Sequence, residues 1–223
     1  MNSRIMIVEV WEDVVCPWCY LGDNRFEAAL AKFAHRDEVK VTRRSFELDP
    51  AAPLKSSQTI VQLLSSKYGI SLEEAVQREK QLSETAASEG LTIKPDRVPV
   101  NTRDAHRLLH LAADHGHQDT LAKLLFAAYF AKGEVVSDKD TLVRIAGEAG
   151  IDTDEARDIL RTDAYGKEVT ADEDEARALG ANGVPFYVFD RRYGISGAQP
   201  TEVFLQALEQ AWKESAPSSK RRG

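Results

Sequence analysis

The two cysteines of the chain lie close together, in the segment Cys16-Pro17-Trp18-Cys19. They are the only cysteines among 223 residues. A thiolate is the attacking species in disulfide exchange, and a second thiol one helical turn away can resolve the mixed disulfide that the first one forms. The spacing therefore predicts a redox dithiol in which Cys16 attacks or is attacked, and Cys19 resolves.

The flanking sequence places this pair where a strand ends and a helix begins. The apolar run at residues 5–11 is short and rich in β-branched side chains, as in a strand. The apolar residues of segment 20–33 recur at helical spacing. Unpaired N–H groups and the helix dipole stabilise an anion at a helix N-terminus, so we expect Cys16 to be the acidic, accessible thiol and Cys19 the shielded one. Pro17 suits the first helical turn, because no hydrogen bond is lost there.

Three other interpretations of the cysteines stay open. They could be structural thiols without chemistry, or form a structural disulfide, which a cytosolic chain would keep reduced. They could also bind zinc, which needs about four ligands, with His106 and His110 completing the set from one face of a helix. In that case the chain would be a non-catalytic metal-binding or chaperone-like module.

Composition and charge exclude several classes of function. Hydrophobic residues make up 43% and charged residues 29%, as in an ordinary globular protein. A net charge of −7 argues against nucleic acid as partner, since binding a phosphate backbone depends on clustered Lys and Arg. No apolar run reaches the length of about eighteen residues that a membrane span needs. No signal segment precedes the first strand, so we expect a cytoplasmic protein.

The pattern of predicted elements divides the chain into two domains and a tail. Residues 1–50 read as strand, helix and a second strand that runs through Ser45-Phe46-Glu47-Leu48, and residues 180–215 read as a hairpin followed by a helix. Residues 51–179 carry almost only helical patterns and form a predicted insertion domain. Residues 216–223 are rich in Ser, Lys and Arg, and we expect a disordered tail there.

Three motifs identify a resemblance that covers nearly the whole chain. They are Val14–Gly22 around the cysteines, Asn101–Leu108 at a helix start, and Gly183–Phe186 with its continuation Gly194–Gln199. With these motifs the chain resembles the DsbA-like thioredoxin domains, and among them the FrnE-like proteins of the 2-hydroxychromene-2-carboxylate isomerase group.

The resemblance implies a fold and a substrate site. The fold class is α/β, a thioredoxin fold of the form βαβ…ββα, with a large all-helical insertion over the active site. It implies a cis peptide bond between Val184 and Pro185 facing the cysteines, with Val184 pairing through its backbone with an extended substrate. Pro17 and Trp18 would tune the thiol and offer an apolar contact surface. A trans Pro185 that merely begins an edge strand is the alternative.

The resemblance also implies an activity. We expect a protein disulfide oxidoreductase, an isomerase or reductase, that exchanges a Cys16–Cys19 disulfide with protein or peptide thiols, binds no cofactor or metal, and uses glutathione as a possible redox partner. The alternative is a glutathione-dependent isomerase or transferase acting on a small aromatic or polyketide-like substrate. Relatives with that chemistry carry a serine near the position of Cys16, so the intact pair favours the oxidoreductase. His106 lies in the family-like helix start and could approach the site, although a histidine on a helix is more often a surface or packing residue.

Two carboxylates precede the cysteines. Glu12 and Asp13 follow the first predicted strand directly. A carboxylate close to Cys16 would disfavour a second negative charge on the sulfur. We therefore expect weaker thiolate stabilisation if either side chain lies near Cys16.

Overall fold

A computed structural model of the chain describes residues 5–215. In it, four strands form one sheet, in which only the first two strands pair in parallel. The strands are Met6–Glu12 (β1), Val39–Ser45 (β2), Phe186–Phe189 (β3) and Tyr193–Ser196 (β4). Their order in the sheet is β2-β1-β3-β4, with β1 parallel to β2 and antiparallel to β3, and β3 antiparallel to β4.

The helices of the described range fall into two groups. Pro17–Lys32 (α1) and Thr201–Ser215 (α9) pack on the sheet, and the helical block between β2 and β3 comprises Ile60–Tyr68 (α2), Leu72–Ser88 (α3), Arg103–Asp114 (α4), Gln118–Phe126 (α5), Lys139–Glu148 (α6), Thr153–Arg161 (α7) and Gly166–Ala178 (α8). A π-helical turn, Ala127–Lys132, continues α5, and a 3-10 turn, Arg36–Glu38, precedes β2. None of the helices within residues 5–215 is both long and apolar enough to cross a membrane.

Two large apolar cores hold the sheet and the helices together. On one face of the sheet, α1 and α9 pack through aromatic side chains, among them Phe26, Tyr187 and Phe204. The other core fills the helical block and extends to Cys16 and Cys19. The loop that carries the cysteines is therefore packed directly against the helical block, since apolar surfaces of both layers are removed from water together.

The predicted chain order is confirmed. β1, α1 and β2 precede the helical block α2–α8, and β3, β4 and α9 follow it, which is the predicted thioredoxin-type βαβ…ββα arrangement with an all-helical insertion. The domain bounds 1–50, 180–215 and 51–179 stay predictions. The predicted disordered tail, 216–223, lies outside the described residues.

The predicted second strand was too long at its C-terminal end. β2 ends at Ser45, and only Phe46 N–H continues the pairing, to the Glu12 carbonyl at 3.1 Å. Beyond this point side chains replace the sheet partner, because β1 has also ended. The Glu47 N–H donates to a carboxylate of α8, and the Leu48 N–H donates to Asp13 Oδ2 at 2.8 Å.

Candidate functional site

Cys16 stands at the N-terminus of α1. Its backbone is extended, with φ −83° and ψ 114°, and its Sγ accepts a hydrogen bond from the Cys19 N–H at 3.3 Å. Pro17 follows as the first helical residue, as predicted. The sulfur of Cys16 thus replaces a backbone acceptor at a helix end where N–H groups have no partner within the helix. This is the position at which negative charge on sulfur is stabilised.

Both thiols are buried and unbonded, so Cys16, expected to be the accessible thiol, has little surface exposed to solvent. Cys16 is 3% exposed and Cys19 is 1% exposed, because the helical block packs over the loop. Only Cys16 lines the cleft described below, so a reagent reaches it through that cleft. Burial raises the pKa of the Cys19 thiol well above its ordinary value, and the neighbouring Cys16 and Glu12 raise it further.

Val184 and Pro185 lie across from Cys16. The peptide bond between them is cis, and the Val184 carbonyl accepts from the Cys16 thiol with a sulfur–oxygen distance of 3.6 Å. Gly22 of α1 permits this close approach. A Cβ at that position would lie 2.8 Å from the Tyr187 hydroxyl and 3.0 Å from Pro185 Cγ. The absence of a side chain at Gly22 thus lets α1 and the Pro185 loop bring the two halves of the site together.

A cleft of about 660 Å³ opens beside Cys16, between the cysteine loop and the α2–α3 pair. Pro17, Trp18 and Val184 line it, whereas Pro185 is buried behind them. Trp18 is 51% exposed and stands at the surface end of the site. The opposite wall is largely apolar and comes from α2, through Ile60, Leu63, Leu64 and Tyr68. Three of the four predicted substrate-contact residues therefore share one apolar cleft with Cys16.

A buried ionic cluster lies behind Cys19, and the sequence analysis missed its centre, Arg43. Arg43 Nη1 lies 2.8 Å from Glu12 Oε1, and Arg43 Nη2 lies 2.7 Å from Asp23 Oδ1 and 2.6 Å from Asp119 Oδ1. Burial raises the pKa of Glu12 to about 7, although the guanidinium lowers it. The only sequence signal was an Arg inside a strand of the parallel unit, where both faces are normally apolar.

The two histidines of α4 do not join the cysteines. His106 is fully buried with its Nε2 3.4 Å from Asp13 Oδ1, and His110 Nε2 lies 3.1 Å from Asp172 Oδ2. Neither lines the cleft. Within residues 5–215, no group of three or more His, Cys, Asp or Glu side chains has a metal-binding arrangement. The structure thus gives the zinc alternative no site in this range.

Comparisons with known proteins place this geometry in a family. Residues 7–209 match the sequence profile of the DSBA-like thioredoxin domain. A structure from Streptomyces coelicolor, described as a probable DsbA oxidoreductase, is 50% identical, superposes with a TM-score of 0.91, and covers 95% of this chain and 92% of its own. The uncharacterized protein YwbO of Bacillus subtilis is 24% identical over 93% of this chain and 98% of its own.

More distant solved structures share the fold. The cytosolic disulfide reductase DsbM of Pseudomonas aeruginosa, solved with GSH, is 15% identical with a TM-score of 0.64, covering 93% of this chain and 99% of its own. A 2-hydroxychromene-2-carboxylate isomerase is 16% identical with a TM-score of 0.70, covering 94% and 98%. With the profile spanning nearly its whole length and the cysteine pair at the expected helix end, the chain belongs to the family of DSBA-like thioredoxin domains.

Proposed function

We propose that the chain is a thiol–disulfide oxidoreductase that exchanges electrons between the Cys16–Cys19 pair and a protein or peptide substrate. One observation carries the proposal. Cys16 Sγ occupies the N-terminus of α1 and lies against the Val184 carbonyl in the wall of an open cleft, while Cys19 is one helical turn deeper and outside that wall. The two sulfurs are thereby suited to different steps.

The reductive direction runs as two displacements. The Cys16 thiolate attacks one sulfur of a substrate disulfide, which forms a mixed disulfide and releases the other substrate sulfur as a thiolate that takes a proton. Cys19 then loses its proton and attacks Cys16 Sγ, which forms the Cys16–Cys19 disulfide and releases the second substrate thiol. Two electrons pass from the cysteine pair to the substrate, and the oxidative direction is the reverse.

The second displacement needs a base, because burial raises the pKa of Cys19 well above the ordinary value for a thiol. Glu12 supplies one in this proposal. Its carboxyl is buried, its charge acts on Cys19, and its pKa of about 7 lets it accept a proton at neutral pH. Arg43 holds the carboxylate in place through the 2.8 Å ion pair.

The cleft supplies the substrate contacts. We propose that Pro17 and Trp18 contact apolar side chains next to the reacting substrate cysteine, and that the backbone of Val184, held before Pro185, pairs with the substrate chain. The apolar side of α2 lines the same cleft and offers a further contact surface for the substrate.

We further propose a cytoplasmic enzyme with glutathione as its redox partner and no bound cofactor. The fold shared with the cytosolic reductase DsbM, solved with GSH, supports this. A reducing compartment also suits a protein with a single pair of cysteines and no further ones to oxidise.

Trapping tests the proposal. Cys19→Ser should accumulate a mixed disulfide between Cys16 and a model peptide disulfide, because the resolving thiol is absent, whereas Cys16→Ser should form none. Mass spectrometry of the unreduced protein identifies the adduct. Mixed disulfides on Cys19 in the Cys16→Ser protein would contradict the assignment. Glutathione-dependent turnover of an aromatic substrate that survives in the double serine variant would support the isomerase or transferase alternative.

A further inference from the structure

His106 is a buried titratable side chain that the proposed exchange reaction does not use. It is 0% exposed, and neither ring nitrogen makes a hydrogen bond within the described residues. Its Nε2 lies 3.4 Å from Asp13 Oδ1, close enough for an ion pair. Burying an imidazole without hydrogen bonds is costly, so an electrostatic partner is the main compensation available to it.

Asp13 connects this pair to the nucleophile. Its main-chain carbonyl accepts from the Cys16 N–H at 3.0 Å, and its side chain accepts from the Leu48 N–H at 2.8 Å and, more weakly, from the Val15 N–H at 3.5 Å. The carboxyl is 1% exposed and lines the same cleft as Cys16. The Asp13 carboxyl therefore shares the cleft with the sulfur that must itself become negative, and the Asp13 backbone is hydrogen-bonded to Cys16.

From this arrangement we infer that His106 is a positioning residue of the exchange reaction. As an imidazolium it compensates the Asp13 carboxylate, and without it the uncompensated charge of Asp13 disfavours the reactive thiolate of Cys16. The inference rests on the proposed function. It assigns to His106 an effect that passes through Asp13 and requires no contact with substrate.

The charged groups around His106 support the cationic form. Glu12 and Asp13 approach from the end of β1, and Glu47 approaches from the segment after β2. Glu47 is itself held by two other helices. Its Oε2 is paired with Arg103 of α4, and the Glu47 backbone N–H donates to the Glu173 carboxylate of α8. Burial alone would lower the pKa of His106, but the carboxylates outweigh it and raise the pKa above the ordinary value.

The test compares alkylation of Cys16 by iodoacetamide across pH in the Cys19→Ser background, where one thiol remains. His106→Gln should lower the rate about tenfold on the acidic side of the measured alkylation profile, because the uncompensated Asp13 carboxylate disfavours the thiolate. Adding Asp13→Asn to His106→Gln should restore the rate, because the uncompensated charge is then gone. A role confined to packing would instead leave the double variant at least as slow.

His110→Gln is the matched control. His110 is one turn further along α4 and also faces a carboxylate, at Asp172, so its loss removes a similar pair elsewhere. The alkylation rate of Cys16 in His110→Gln should match that of the parent. If His106→Gln does not fold, Asp13→Asn alone decides the matter, because losing the carboxylate that shares the cleft with Cys16 should accelerate alkylation, while Glu12 and Glu47 still face His106.

Three results would overturn the inference: an unchanged rate in His106→Gln, a double variant that is not rescued, or an Asp13→Asn protein that reacts more slowly than the parent. Failure of the proposed function is seen separately. A parent protein that forms no mixed disulfide with a disulfide substrate would refute the oxidoreductase, while the alkylation comparison would still decide the role of His106.

Discussion

At the scale of single residues, the site depends on two thiols and two acids with different surroundings. Cys16 lies at a helix end and in the wall of the cleft, and Cys19 lies in apolar packing next to Glu12. Asp13 is paired with His106, and Glu12 is paired with Arg43. The same residue type thus acquires different reactivity from burial and from the charge next to it.

Glu12 should make stability depend on pH. Its pKa rises from 4.5 in the unfolded chain to about 7 in the folded protein. The folded state then binds the extra proton, so the contribution of Glu12 to the free energy of unfolding is greatest below pH 4.5 and is lost as pH rises through 7. Glu12→Gln should remove up to about 3 kcal/mol of this decline.

Urea unfolding at several values between pH 5 and 8 measures the slope. Comparing slopes cancels the pH-independent cost of removing a charged partner from Arg43. Both proteins carry His106→Gln, because the Glu12 charge also acts on the titration of His106. Glu84→Gln, on an exposed side chain, serves as the control and should keep the parent slope. An identical slope in Glu12→Gln would show that Glu12 titrates normally.

At the scale of elements, the contact between α1 and the start of β3 determines where Cys16 meets Val184. α1 begins at Pro17, and its next turn carries Gly22 against Tyr187 and Pro185. Close backbone approach fixes the distance between these two elements better than flexible side chains could, because a backbone cannot choose another rotamer.

Gly22→Ala should separate these elements. Its Cβ would meet the Tyr187 hydroxyl at 2.8 Å and Pro185 Cγ at 3.0 Å, and overpacking of this kind costs about 1–3 kcal/mol. We expect a lower free energy of unfolding and slower formation of the Cys16 mixed disulfide. Gly183→Ala is the matched control, since nothing lies within 4 Å of its added Cβ. Equal stability of the two variants would mean that α1 does not depend on this contact.

At the scale of the whole molecule, the cleft exists because the helical block does not pack against the cysteine loop along its whole surface. The sheet layer contributes the cysteine loop, and the helical block contributes α2, none of whose residues is fully buried. The apolar side of α2 therefore faces an open space instead of a core. An apolar surface held open beside a reactive thiol is typical of a binding site.

Filling the cleft should slow the reaction with large substrates but not the reaction with small reagents. Leu63→Trp adds an indole to the α2 wall, so reduction of a protein disulfide should slow by about tenfold, equivalent to about 1.4 kcal/mol, while alkylation of Cys16 by iodoacetamide stays close to the parent rate. Val76→Trp, on the exposed face of α3, controls for added aromatic surface. Equal slowing of both reactions would show that the variant blocks Cys16 itself rather than a substrate site.

The sequence by itself determined the features that depend on neighbouring residues. The spacing of Cys16 and Cys19, the proline after Cys16 and the switch from strand to helix periodicity all act within a few residues, so the helix end and the order of elements were predictable. The end of β2 was misplaced because it depends on where β1 stops and on carboxylates from other segments.

Only the tertiary structure decided which distant residues share the site. Cys16 meets Val184 across 168 positions, and Arg43 meets Asp119 across 76. The burial of Cys16, the pairing of His106 with Asp13 and the cleft beside α2 are likewise products of how the helical block packs on the sheet. Local preferences restrict the backbone of each segment, but contacts between segments are selected by the burial of the whole apolar surface, which no single segment specifies.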